Sequence, residues 1–189
     1  FTHSSSLMKE GRSILSDSNI LSVMFHLRGS QALSPSRLET LRLSLRRDGI
    51  PVESLGAVFV HLISLSGSLS EGHLQTLSKL LTYGPTRDAG RDFGLVKIVG
   101  PRPGTISPWS SKATDIARIC GLNAVDRIER VMVYSVDVGG AKLDAQLQAS
   151  LEARLHDRMT QAVFAGYEDL GVLFASENPR PMSSVPLLE

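Results

Sequence analysis

The chain contains almost no cysteine: Cys120 is the only one in 189 residues. An internal disulfide is therefore excluded, and a cysteine-built metal site with it. Aromatic residues make up 5% of the chain, and Trp109 is the single tryptophan. Neither sign of charge dominates, since 20 Lys and Arg face 19 Asp and Glu for a formal net charge of +1. That balance gives no general attraction to nucleic acid or to an anionic membrane. No apolar run approaches the roughly 20 residues needed to span a bilayer. The histidines are His3, His26, His61, His73 and His156, and none pairs with another at metal-ligand spacing. His26 and His61 read as ordinary strand residues. No Walker-type phosphate loop and no dinucleotide glycine fingerprint is present.

What is present is an internal repeat. Ser34-Pro35 matches Ser107-Pro108 at an offset of 73 residues. At the same offset Val52 falls on Val125, Leu55 on Ile128, Val58 on Val131, Val60 on Val133 and Leu74 on Leu147. The apolar register drifts only within the first helix of each half. Each half reads as strand, helix, strand, helix. The first has a strand at Val23–Arg28 and a helix capped by Ser34, with Leu38, Leu41 and Leu45 on one face. Gly49-Ile50-Pro51 stops that helix. A β-rich run at Gly56–Leu65 follows, then a helix opened by Ser70 or Glu71 with Leu74, Leu77 and Leu81 inward. Gly84–Asp92 reads as a loop. The second half has a strand at Phe93–Val99 and a helix from Ser107 to Gly121, with Ala113, Ile116, Ala117 and Cys120 as its buried stripe. A strand at Arg130–Val136 comes next. The longest helix is expected over Asp144–Phe164, from Leu147, Leu151, Leu155, Met159 and Val163 spaced by four. Asp169–Phe174 has the makings of one more turn.

The strands Gly56–Leu65 and Arg130–Val136 are apolar on both faces, so helices on one side leave the other side needing cover. The sheet of the sister half is the natural cover. The fold class expected is α+β: two ferredoxin-like halves related by a pseudo-twofold, antiparallel sheets packed face to face, helices outside. Three segments follow: 1–22 as a mobile N-terminal extension, 23–168 as the duplicated domain, and 169–189 as the start of a linker. The serine-rich start carries Glu10 and Asp17 and has no apolar core, so it reads as a tail or mid-protein extension rather than a signal peptide.

The most informative stretch is Pro101–Ala117, PRPGTISPWSSKATDIA. Gly104 supplies a permissive turn. Ser107 is a natural N-cap, and Pro108 suits the first helical position. Thr105, Ser110, Ser111 and Lys112 place hydroxyls and a cation around a helix N-terminus, the outline of an anion site. A well-capped helix anchored by Trp109 accounts for the same residues, and both readings stand at this point.

This stretch resembles the signature of the N-terminal domain of the large, multidomain form of phosphoribosylformylglycinamidine synthase. Other segments match in order: LRGSQALSP at Leu27–Pro35, LLTYGP at Leu80–Pro85, DRIERV at Asp126–Val131 and LHDRM at Leu155–Met159. The resemblance covers about residues 23 to 189. It implies a domain similar to a fused dimer of the small accessory subunit of split versions of the enzyme. It also implies a setting in purine biosynthesis, in a cytoplasmic, glutamine-dependent, ATP-consuming carbon–nitrogen ligase. ATP and magnesium are expected in other domains and no cofactor in this chain. The partners implied are the synthetase and glutaminase domains of the same polypeptide, without nucleic acid or membrane.

A glutaminase needs a cysteine on a strained elbow with histidine and carboxylate nearby. Cys120, on an apolar helix stripe, reads instead as a buried structural residue. The chain alone is expected to be inactive, with no catalytic, cofactor or metal residues. Interdomain contacts are expected at Thr105, Ser107, Trp109, Ser110, Ser111, Lys112, Asp115 and Arg158. The rival readings are a phosphate-ligand module using the Gly104–Lys112 turn, and a free-standing ferredoxin-like regulatory domain.

Overall fold

The computed structural model of the chain describes residues 23–84 and 91–175. The elements run β1 (Val23–Gln31), α1 (Pro35–Arg47), β2 (Ser54–Leu65), α2 (Glu71–Leu81), β3 (Leu95–Pro101), α3 (Pro108–Ile119), β4 (Val125–Asp137), α4 (Ala145–Leu155), β5 (Gln161–Phe164) and a 3-10 helix, Tyr167–Phe174. The class is α+β and strands alternate with helices, as the repeat requires. All strands join one antiparallel sheet in the order β1-β2-β4-β3-β5.

The two halves therefore meet edge to edge rather than face to face. The central strands β2 and β4 pair along nearly their whole length, from Ser54↔Asp137 to Leu65↔Val125. That pairing satisfies the backbone groups of both inner edges at once, which face-to-face stacking would leave open. Phe59 pairs with Met132, its own equivalent at the 73-residue offset, so a pseudo-twofold passes between them. The outer strands expose a difference between the halves. Ile63 and Val136 are equivalent at 73, yet their outer partners, Phe25 and Leu95, are 70 residues apart. Ile98 and Arg28 are such partners too, so three extra residues lie between Ile98 and Ser107, on the way into the first helix of the second half.

Both first helices start and stop alike. Ser34 and Ser107 have extended backbones, accept from the amides of Arg37 and Ser110, and precede a proline. Both helices end on a left-handed glycine, Gly49 at φ +86° and Gly121 at φ +82°. Ile50 N–H returns to Leu45 C=O and Leu122 N–H to Ala117 C=O, closing the same glycine cap twice.

The helices cover one sheet face in two pairs. Leu38 and Leu45 of α1 and Leu151 and Leu155 of α4 pack with Ala57, Tyr134 and Val136. Leu77 and Leu81 of α2 and Ala117 of α3 pack with Ile63, Leu65 and Ile128. Fully buried leucines such as Leu45, Leu77 and Leu151 each contribute about 1.5–3 kcal/mol. On the opposite face the 3-10 helix lays Leu170 and Leu173 on Val58, Val60, Leu62, Val131 and Val133. This segment supplies the cover that a sister sheet was expected to give. Because Leu170 and Leu173 are buried, the packed unit runs through Phe174, past the boundary expected at residue 168.

The helix expected over Asp144–Phe164 stops at Leu155, and β5 follows it. Asp157 breaks it. Its carboxylate accepts from the Met159 amide at 2.8 Å and the Thr160 hydroxyl at 3.0 Å, and its carbonyl accepts from the amides of Thr160 and Gln161. Those bonds stabilise a turn instead of a helix and hold the Asp157 carboxyl below the usual aspartate range. Gln161–Phe164 then pairs with β3. The expectations for residues 1–22, most of the Gly84–Asp92 loop and the linker beyond Ala175 lie outside the described residues.

Candidate functional site

β3 leaves β4 after the Val99↔Met132 pair, so β4 between Arg127 and Val131 runs on without a strand on that side. Helix α3 supplies the missing partners. The Ser110 hydroxyl donates to Ile128 C=O at 2.6 Å, and the Ile128 amide donates to the Thr114 hydroxyl at 3.0 Å. Ser110 and Thr114 are one helical turn apart on one face, which is why two small polar residues sit buried in α3. The Arg130 amide is taken by the Glu129 carboxylate at 3.1 Å.

Glu129 is fully buried. It also accepts from the Ser107 hydroxyl at 2.7 Å and from Arg127 Nη2 at 2.8 Å. Arg127 further donates to the carbonyls of Thr105 at 3.0 Å and Leu173 at 2.8 Å, and to the Ser110 hydroxyl at 3.3 Å. Its guanidinium lies 5.3 Å from the Phe174 ring centre. One arginine thus ties the signature turn, α3, β4 and the 3-10 helix together. The DRIERV segment, which the sequence showed only as a resemblance, carries this network in Arg127 and Glu129.

The same geometry bears on the anion reading. At the N-terminus of α3 the cap amide is already taken by Ser107, and a buried carboxylate sits against that serine. A phosphate arriving there would find that amide and the Ser107 hydroxyl already committed, the first to Ser107 and the second to Glu129.

Trp109 is half-buried. Its ring stacks on His61 at 5.5 Å and approaches Tyr83 at 6.5 Å. The Arg130 guanidinium lies between Trp109, at 4.6 Å, and Phe59, at 4.1 Å, and donates to the Tyr83 hydroxyl at 3.1 Å. The Tyr83 oxygen is 2.7 Å from His61 Nε2. A tautomer with its proton on Nδ1 lets that hydroxyl accept from Arg130 and donate to His61. Burial, then the charge of Arg130, push the His61 pKa down to about 4, and an interaction with the Leu27 backbone only partly offsets this. His61 Nδ1 makes no well-formed hydrogen bond. His61 is thus a buried, neutral member of an aromatic cluster rather than an ordinary strand residue.

A cleft of about 490 Å³ opens beside this cluster, over the pseudo-twofold. Phe59, Arg130 and Met132 lie within it, Ile106, Pro108 and Trp109 on the signature side, and Met159 and Thr160 on the α4–β5 side. The two rims are joined by the Arg102 amide donating to Thr160 C=O at 3.2 Å. Ile106 is 62% exposed and Met159 is 79% exposed.

Of the residues expected at contacts, Thr105, Ser111, Lys112, Asp115 and Arg158 are exposed, and Ser107 and Trp109 are half-buried. Ser110 is fully buried and held by the β4 edge, so it offers nothing to a partner. Cys120 is exposed rather than buried. It is the C-cap of α3, where the chain turns outward, and its neighbour Ile116 is also exposed. Ile106, Arg130 and Met159 were missed by sequence reasoning. They lie within the matching segments at 101–117, 126–131 and 155–159, but only exposure and cross-strand placement single them out there.

Among the described residues no group of three or more His, Cys, Asp or Glu side chains is placed to hold a metal ion, and no helix is long and apolar enough to cross a membrane. A family model described as formylglycinamide ribonucleotide amidotransferase N-terminal matches residues 58–174. The match runs from the middle of β2 to the end of the 3-10 helix, more than half of the chain, and includes the signature turn and the Arg127–Glu129 network. The chain belongs to the formylglycinamide ribonucleotide amidotransferase N-terminal family, and through it to the amidotransferase of purine biosynthesis.

Proposed function

We propose that this chain is a non-catalytic assembly domain of phosphoribosylformylglycinamidine synthase. That cytoplasmic enzyme would convert formylglycinamide ribonucleotide, glutamine and ATP to formylglycinamidine ribonucleotide, with ATP and magnesium held by other domains. The domain bridges the synthetase and glutaminase parts of the same polypeptide and helps enclose the ammonia that passes between them. Exclusion of water matters to that passage, because free ammonia is protonated and lost along an open path.

The observation that carries this reading is the apolar, exposed rim of the cleft inside a family-matched domain. Ile106 stands in the connection into α3 that is three residues longer than in the sister half, and Met159 lines the other side of the cleft. Exposed apolar side chains around a shaped cleft suit a surface that another domain covers. The phosphate-ligand alternative is weakened because the Ser107 hydroxyl and the Ser110 amide at the α3 N-terminus already have partners.

The test uses the full-length amidotransferase with Ile106→Asp, a rim change that leaves the core alone. Glutamine-dependent synthesis should fall about tenfold relative to synthesis from ammonium salts, a coupling loss of about 1.4 kcal/mol. Equal loss of both activities, or loss of neither, would overturn the reading.

A further inference from the structure

The pseudo-twofold makes one residue conspicuous. The cross-strand pair Ala57↔Tyr134 has His61↔Arg130 as its counterpart in the other half. Ala57 and Tyr134 are buried under α1 and α4. At the counterpart position a guanidinium lies half-exposed in a cleft, between two aromatic rings. A fold that needed only packing here would have no use for an arginine.

Among the described residues Arg130 forms no salt bridge. Arg127 takes Glu129, Lys97 takes Glu152, and Asp157 is occupied in its own turn. Among the described residues the Arg130 guanidinium makes one hydrogen bond, to the Tyr83 hydroxyl. Its ring neighbour His61 is neutral, so it brings no second charge to the cleft. Arg102 lines the cleft as well and adds a second cation. With Nη1 on Tyr83, the planar guanidinium keeps its Nε and Nη2 side for two parallel bonds to a carboxylate, and the rings beside it strengthen such a pair. Phe59, Ile106, Met132 and Met159 give the lining apolar groups on both sides, beside the neutral polar side chains of Thr105, Ser107, Thr160 and Gln161.

We propose that the cleft over the pseudo-twofold is a receptor for a protein carboxylate: an Asp or Glu side chain flanked by apolar residues, presented by another domain of the same polypeptide and paired with Arg130. Charge complementarity selects this occupant. The cation requires an acid, and the apolar rims on both sides require apolar flanks. The proposal rests on the interdomain reading of this surface and names the chemistry of its partner.

The test has two arms, both on the full-length amidotransferase. In the first, Arg130→Met should lower the ratio of glutamine-dependent to ammonia-dependent synthesis about tenfold or more, and Arg130→Lys should recover part of it because charge returns without the planar fork. If Ile106→Asp lowers the ratio while both Arg130 variants leave it unchanged, the interface reading stands and the carboxylate proposal falls. If none of the three lowers it, both fall. The second arm needs no variant: a side-chain-resolved structure of the wild-type protein. An Asp or Glu oxygen within about 3.2 Å of the Arg130 guanidinium is the expected result. A small anion, solvent or a purely apolar segment in that place overturns the proposal.

Discussion

Replacing Arg127 with methionine should be among the most damaging single changes in this domain, far beyond what its surface-like charge suggests. Methionine keeps much of the volume and removes the charge. Glu129 would then be left with its carboxylate fully buried, holding only the Ser107 hydroxyl and the Arg130 amide. Breaking one side of a buried ion pair costs about 3–5 kcal/mol. The carbonyls of Thr105 and Leu173 also lose a donor, although solvent can reach the first. For a chain of this size each kcal/mol moves the midpoint by about 2–4 °C, so the loss should be roughly 6–20 °C. A thermal melt of the 189-residue chain at neutral pH measures it. Glu129→Gln keeps an acceptor for Ser107 and should cost less, about 1–2 kcal/mol. The double variant Arg127→Met, Glu129→Met should be more stable than Arg127→Met alone, because no charge is then buried unpaired. A single variant melting within about 2 °C of wild type, or strict additivity in the double, would refute the reasoning.

Three further outcomes follow from other parts of the fold. His61 is neutral when folded, with a pKa near 4 against an ordinary 6.5, so the unfolded chain binds the extra proton between those values. Stability should decline as pH falls from about 6.5 to 4, by roughly 3 kcal/mol at the low end, and His61→Gln should flatten that part of the curve of unfolding free energy against pH. Gly49→Ala and Gly121→Ala each force a Cβ into the left-handed region with open space around it. Each should cost about 1–2 kcal/mol, and nearly the same in both halves, by denaturant titration. Cys120, being exposed, should react with a thiol reagent at one equivalent in the native state while the melting curve stays unchanged; slow labelling that speeds up only on unfolding would contradict its placement.

The repeat was legible because helix caps and strand patterns are local. Ser34-Pro35 and Ser107-Pro108 cap equivalent helices, and the 73-residue offset marks the paired central strands. How the halves join was not legible. Apolar residues on both faces of β2 and β4 call for two covers without saying which element supplies the second, and the 3-10 helix at Tyr167–Phe174 has no periodicity to announce it. Leucines spaced by four carried the α4 expectation past Leu155, because the pattern does not register an aspartate that captures the next amides. The signature turn is legible in the sequence, but the direction of its hydroxyls is not. Ser110 and Thr114 instead serve the unpaired edge of β4, a need created by where β3 ends and invisible before the sheet is known. Arg130 was missed for the same reason: its meaning lies in the strand opposite and in the pseudo-symmetric alanine.

The central claim is that the cleft rim formed by the signature turn and the α4–β5 turn is covered in the working enzyme. Hydroxyl-radical footprinting reads it directly, since Met159 and Ile106 are strongly exposed in this domain and methionine oxidises readily. The 189-residue chain and the full-length amidotransferase should be oxidised side by side and the modification at each residue compared. Strong oxidation of Met159 and Ile106 in the isolated chain, with shielding of both in the full-length protein, is the predicted result; equal oxidation in the two would contradict the account.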